Sequence, residues 1–275
     1  MPRASANGME LEYEIFGAAG GAPLLLINGL GAQMVGWDDD FCRLLVDHGF
    51  RVIRFDNRDV GLSTRPQEPY KLDDMAADAA GLLDALGIRA AHVVGASMGG
   101  FIAQLVALNH PDRVLSLTSI MSGPGGKDQV PPTDEARALL VAPAPETREE
   151  RVEQGVQAKQ KLLGPADPFD EPYERARIAA AIDRAYNPAG FIRQLQAIAA
   201  APGRLERLRS LRVPTLVIHG DADNLVPVAN GRSVAAAIPG ARLVEVEGMG
   251  HDVPRRVWTQ VADEITALAR QAAAC

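Results

Sequence analysis

The chain has 275 residues, 28 Lys and Arg against 35 Asp and Glu, and 47% hydrophobic residues, the make-up of a soluble globule long enough to build a core without staples. A net charge of −7, with no run of Lys or Arg, excludes the basic footprint of a nucleic-acid binder. Cys42 and Cys275 lie far apart and outside any Cys/His cluster, so neither a disulfide framework nor a zinc site is indicated, and a reducing, cytoplasmic setting is expected.

The first eight residues carry no apolar stretch of signal-peptide length, and the longest apolar runs are far too short to span a membrane. In chain order, apolar β-rich runs and helical spacings then alternate. A strand is predicted over 24–27, a helix over 38–46, a strand over 51–55, a helix over 72–86, a strand over 92–94, a helix over 98–108 and a strand over 114–121. The rhythm resumes with a strand over 215–218, a helix over 231–238, a strand over 243–246 and a helix over 257–273. Such alternation implies an α/β protein whose mostly parallel sheet is covered by helices on both faces.

Residues 124–208 break the pattern. They contain no strand signal and read as several amphipathic helices punctuated by prolines, a helical insert between the two series. The charged stretch 146–163 is expected to be a solvated face.

The strongest chemical signal is Val93-Val94-Gly95-Ala96-Ser97-Met98-Gly99-Gly100, a strand running through Gly-x-Ser-x-Gly into a helix. In that setting the serine sits on a tight, strained turn, and small residues two before and two after it avoid collision with neighbouring backbone. The turn also places the hydroxyl at a helix N-terminus, where unpaired N–H groups favour negative charge. The bland alternative makes Ser97 a helix N-cap.

A nucleophilic serine needs a base, and there are five histidines. His48 and His110 fall near helix ends, His92 opens a strand and His219 closes one, all places with ordinary structural explanations. His251 differs. Gly248-Met249-Gly250-His251-Asp252 lies between the last strand and the last helix, at the carboxyl edge of the sheet where Ser97 also lies. The carboxylate that would orient the imidazole should follow another strand, and Gly220-Asp221-Ala222-Asp223-Asn224-Leu225-Val226-Pro227 offers Asp221 and Asp223. Asp221 could equally serve a turn.

With the elbow, the Gly-x-x-Asp-x-x-Val-Pro element and the Gly-x-Gly-His element in that order, the chain resembles an α/β-hydrolase over essentially its whole length. Asp56-Asn57-Arg58-Asp59-Val60-Gly61-Leu62-Ser63-Thr64, Ser97-Met98 and Gly248-Met249-Gly250-His251 are similar to the aclacinomycin methylesterase branch and related bacterial esterases. The resemblance implies a core of residues 1–123 and 209–275 with 124–208 as a lid, and it places the catalytic acid on Asp223. It also implies oxyanion donors at the backbone amides of Leu30 and Met98, although Asn28 stands where many relatives carry His.

Together these elements imply a Ser97–His251–Asp223 hydrolase of small-molecule esters needing no metal or organic cofactor. In the insert, Phe169, Tyr173, Tyr186, Phe191 and Ile192 would either line a pocket or pack the insert on the core. Cofactor-free haloperoxidase or perhydrolase chemistry and carbon–carbon or enol-lactone hydrolysis would use the same triad, and a non-catalytic ligand receptor could share the fold. A dinucleotide site is excluded, because Gly29-Leu30-Gly31-Ala32-Gln33-Met34 lacks the third glycine.

Overall fold

The computed structural model describes residues 2–274, so Cys275 lies outside the described residues. Among the described residues eight strands form one sheet: β1 Arg3–Ala6, β2 Met9–Phe16, β3 Ala22–Ile27, β4 Phe50–Phe55, β5 Ala91–Ala96, β6 Val114–Ile120, β7 Thr215–Gly220 and β8 Arg242–Val246. Their order is β1-β2-β4-β3-β5-β6-β7-β8. The contacts from β4 through β8 are parallel, whereas β1 and β2 join antiparallel at one edge.

The edge hairpin went unpredicted. It turns at Asn7-Gly8, both at positive φ, the signature of a two-residue turn matching strand twist.

Successive residues of the parallel strands point to opposite faces, and both faces are buried. Leu25, Ile27, Val93 and Leu117 join helices α2 (Leu72–Ala85), α3 (Met98–Asn109) and α9 (Ala229–Ala237) in one core layer. Leu24, Leu26, Val94 and Ile218 meet α1 (Asp39–Asp47) and α10 (Trp258–Ala273) in the other. This two-sided burial explains why these strands read as continuous apolar runs rather than alternating ones.

Between β6 and β7 the chain forms α4 (Asp134–Leu140), α5 (Arg148–Leu162), α6 (Glu171–Arg184), α7 (Pro188–Ala200) and α8 (Leu205–Leu208). Residues 124–208 contain no strand. Each of α4, α5 and α6 starts at a side-chain cap, from Thr133, Thr147 and Asp170 respectively, which fixes where each begins. Among the described residues, no helix is long and apolar enough to cross a membrane.

Candidate functional site

The sheet's carboxyl edge gathers the sequence-predicted residues into one place. Ser97 follows β5 at φ 56° and ψ −122°, a conformation that costs a non-glycine residue roughly 1–3 kcal/mol. Three backbone bonds hold it there, from the Ser97 N–H to the Ile120 oxygen (2.9 Å) and from the Gly100 and Phe101 N–H groups to the Ser97 oxygen (2.9 and 3.3 Å). The hydroxyl makes no capping bond to α3, so the N-cap reading does not describe it.

The elbow's glycines are required by proximity. A Cβ on Gly99 would stand 2.7 Å from the Ile27 carbonyl carbon and 2.8 Å from the Asn28 oxygen, and one on Gly95 would press on Gly99 and Gly100. Helix α3 therefore starts directly against the end of β3.

Ser97 donates its hydroxyl hydrogen toward His251 Nε2 at 2.9 Å, and His251 Nδ1 donates to Asp223 Oδ2 at 2.8 Å. This direction follows from the ionised carboxylate, which can only accept. Asp223 is 5% exposed. Burial works to raise its carboxyl, but the charge of His251, bonds from His219 and His251 and the Val226 N–H outweigh it and hold the group at about 2. Its other oxygen accepts from the N–H groups of Leu225 (2.9 Å) and Val226 (2.8 Å), which aims Oδ2 at the imidazole.

Asp221 points elsewhere: its Oδ1 accepts the Gly248 N–H at 2.7 Å, tying the acid loop to the histidine loop. Of the two carboxylates left open by the spacing, only Asp223 contacts His251. His48 binds the Leu44 oxygen and Asp263, His92 binds Ser116 and His110 ends α3, all away from Ser97.

Gly29 abuts Ser97, since a Cβ there would lie 3.1 Å from the serine Cβ and 3.5 Å from its Oγ. The loop carrying Leu30 thus borders the hydroxyl. Asn28 holds that loop from within: its Nδ2 donates to the Gln33 oxygen at 2.8 Å, and its own oxygen accepts Asn57 Nδ2 at 3.2 Å. Among the described residues, the Leu30 and Met98 amides donate to no protein acceptor, leaving both N–H groups available to a ligand. Two free amides beside a hydrogen-bonded Ser-His-Asp line can stabilise a tetrahedral oxyanion while the imidazole moves a proton.

Two further side chains touch these residues: His219, which the sequence reading gives only the role of closing a strand, and Gln194, which it does not single out. His219, fully buried, donates Nε2–H to the Val226 oxygen at 2.6 Å with Asp223 Oδ2 3.5 Å away; its four-residue spacing from Asp223 was the available signal. Gln194 on α7, also fully buried, accepts the Gly31 N–H at 2.8 Å and donates to the Arg58 oxygen at 2.9 Å. Nothing in its local sequence marks it.

The aromatic residues of the insert divide. Phe191 packs against Gly31, Tyr173 bonds Asp38, and Tyr186 lies under the Arg151 guanidinium at 4.1 Å. Phe169 and Tyr173 border a groove of about 250 Å³ alongside Pro254, and Ile192 is half exposed. Among the described residues, no group of three or more His, Cys, Asp or Glu could hold a metal ion.

The alpha/beta hydrolase fold family matches residues 22–254. The rhodomycin D methylesterase DnrP of Streptomyces peucetius is 36% identical over 275 aligned residues, covering 91% of this chain and 92% of that protein. The non-heme haloperoxidase of Rhodococcus erythropolis is 31% identical over 256 residues, covering 90% and 91%. Among solved structures, the enol-lactonase of Burkholderia xenovorans LB400 superposes with a TM-score of 0.78 at 28% identity, each chain covered in full.

Proposed function

The chain belongs to the α/β-hydrolase family, and from that membership we propose that it cleaves carboxylic esters of small molecules through a covalent acyl-enzyme. The observation that carries this reading is the continuous line Ser97 Oγ, His251 Nε2, His251 Nδ1, Asp223 Oδ2, with spacings of 2.9 and 2.8 Å. Ser97 Oγ attacks the acyl carbon while His251 accepts its proton, and Asp223 holds the imidazole and stabilises the imidazolium. The tetrahedral oxyanion takes hydrogen bonds from the Leu30 and Met98 amides, each such donor being worth about 3 kcal/mol of barrier. Collapse expels the alcohol, which leaves with the proton from His251. Water, deprotonated by His251, then attacks the acyl-enzyme, and the carboxylic acid departs as Ser97 regains its hydrogen.

In this reading residues 124–208 form a lid on a core of 1–123 and 209–275, supported by the helical insert's contacts with the loops at the site. A methyl ester on a bulky acyl group is the first substrate to test, by likeness to the methylesterase, and lactones belong to the same bond class. The buried, unpaired Cys42 thiol and acidic surface suit a cytoplasmic protein that engages neither nucleic acid nor membranes.

The test is an ester panel graded by acyl length, run beside bromide-dependent peroxidation, with wild type and Ser97→Ala. Ester turnover lost with Ser97 supports the proposal. Peroxidation without ester cleavage, or stable ligand binding without turnover, overturns it.

A further inference from the structure

The insert reaches the loop after β3 through a buried amide. Gln194 is 0% exposed, yet both ends of its side chain are used, and both partners are backbone groups of the core: the Gly31 N–H at 2.8 Å and the Arg58 oxygen at 2.9 Å. An amide of this length accepts from one loop and donates to the other, whereas methionine or leucine can fill the space but satisfies neither group.

The peptide that Gln194 grips is the one next to the Leu30 amide. Gly31 lies at φ +68°, and the Ala32 N–H closes back on the Gly29 oxygen at 3.2 Å, so residues 29–32 form a tight turn with Gly29 against Ser97. With its N–H engaged by Gln194, the 30–31 peptide plane is fixed, and this limits rotation of the neighbouring 29–30 peptide that carries the Leu30 N–H. The Arg58 carbonyl anchors the far end of the amide to the loop after β4. The Gly31 N–H is thus held from the insert, across more than 160 residues of sequence, and not by its own loop.

We infer that Gln194 is a positioning residue for the oxyanion donor at Leu30, acting through the Gly31 peptide. The inference rests on the oxyanion role proposed for that amide. Because a misplacement of about 1 Å can cost 10²-fold, losing the grip should lower turnover without abolishing it.

The test compares Gln194→Met with wild type and Ser97→Ala. Gln194→Met should lower kcat about 10- to 100-fold with KM changed less than about threefold. It should also weaken a boronic acid inhibitor, whose tetrahedral adduct on Ser97 uses the same donors, in proportion to the fall in kcat/KM. A lower fraction of folded enzyme would reduce kcat but leave that inhibition constant unchanged. Wild-type kcat and wild-type boronic acid affinity in a folded Gln194→Met overturn the inference while leaving the esterase reading intact. Absence of Ser97-dependent turnover in the wild type overturns the esterase reading itself. Should Gln194→Met not fold, amide exchange in the wild type decides: the Gly31 amide is protected in the free enzyme, and the Leu30 amide becomes protected only with the boronic acid bound. A freely exchanging Gly31 amide refutes the proposed grip.

Discussion

Replacing Gly99 by alanine tests whether the approach of α3 to β3 builds the site. The added Cβ would stand 2.7 Å from the Ile27 carbonyl carbon and 2.8 Å from the Asn28 oxygen. Both neighbours are backbone, so no side-chain rotation relieves the clash. Ordinary contact begins at 3.4 Å, and the Ile27 carbonyl oxygen lies nearer to the added Cβ than the carbon does, so the start of α3 and the end of β3 must separate by more than 0.7 Å, the difference from 2.7 Å. These two segments carry Met98 and lead into Leu30, so the separation falls directly on the spacing between the proposed oxyanion donors. A shift of this size predicts a loss of about 10- to 100-fold in kcat, equivalent to roughly 1.4–2.7 kcal/mol of barrier, together with about 1–3 kcal/mol of overpacking destabilisation. Kinetics on a p-nitrophenyl ester and urea unfolding would be measured in parallel. Gly49→Ala serves as the control: Gly49 is at φ +95° with nothing within 4 Å of an added Cβ, and it precedes β4 at the opposite end of the sheet. That variant should lose stability from backbone strain while keeping kcat. A folded Gly99→Ala with wild-type kcat would refute the reasoning.

Ser97→Ala and His251→Ala should each lower ester turnover by about four to six orders of magnitude with folding little changed, and Asp223→Asn by about four while remaining folded. Asp221→Asn should cost less than about tenfold, because Asp221 bonds the Gly248 N–H rather than the imidazole; equal loss there with none in Asp223→Asn would reassign the acid. The Asp223 carboxyl, held at about 2 instead of its ordinary 3.8, contributes stability that is present above the ordinary value and is lost as pH falls through about 2. Its contribution is of order 2 kcal/mol, so urea midpoints of wild type and Asp223→Asn should converge between pH 5 and pH 2; a pH-independent gap contradicts the linkage. Burial pushes the Cys42 thiol up to about 12, so iodoacetamide at pH 8 should spare it in the native protein and modify it in urea, as read by peptide mapping.

The features legible in the sequence were those with local causes. The elbow announces itself because close backbone approach at Gly95 and Gly99 demands glycine at fixed offsets from Ser97, and the parallel strands because two buried faces require unbroken apolar runs. The edge hairpin was missed although its pattern was present. Met9, Leu11, Tyr13 and Ile15 alternate with Glu10, Glu12 and Glu14 after an Asn-Gly pair, but a strand that is half charged forms no apolar run. Glu12 is buried there because Arg3 Nε meets its carboxylate at 3.0 Å, a pairing created only when the hairpin closes. The choice between Asp221 and Asp223 could not come from spacing, since both lie in one loop and differ only in which neighbour they face. Gln194 had no local signal at all: its partners belong to two loops far upstream, and only tertiary packing makes them adjacent.

The same packing explains how residues so distant in the chain keep ångström-scale registry. The last turn of any helix leaves carbonyls without intrahelical partners, and α5 spends two of them on the site. The Leu162 oxygen accepts the His251 N–H at 2.7 Å, and the Lys161 oxygen accepts from Asn224 Nδ2 at 2.9 Å, so one helix end braces the His251 loop and the Asp223 loop together. At the other side of the cleft, Arg193 forks onto the buried Asp59 at 2.9 and 2.6 Å, while Asn187 donates to the Asp59 backbone oxygen at 2.9 Å. Asp59 itself stands at φ 72°, a strained conformation that these partners hold, two residues from the Asn57 side chain that supports Asn28. A movement that lifted the insert as a whole would break both sets of bonds, releasing His251 and Asp223 on one side and the Leu30 loop on the other. Seating of the insert and alignment of Ser97, His251 and Asp223 are therefore coupled, and an insert that lifts must reseat before that alignment is restored.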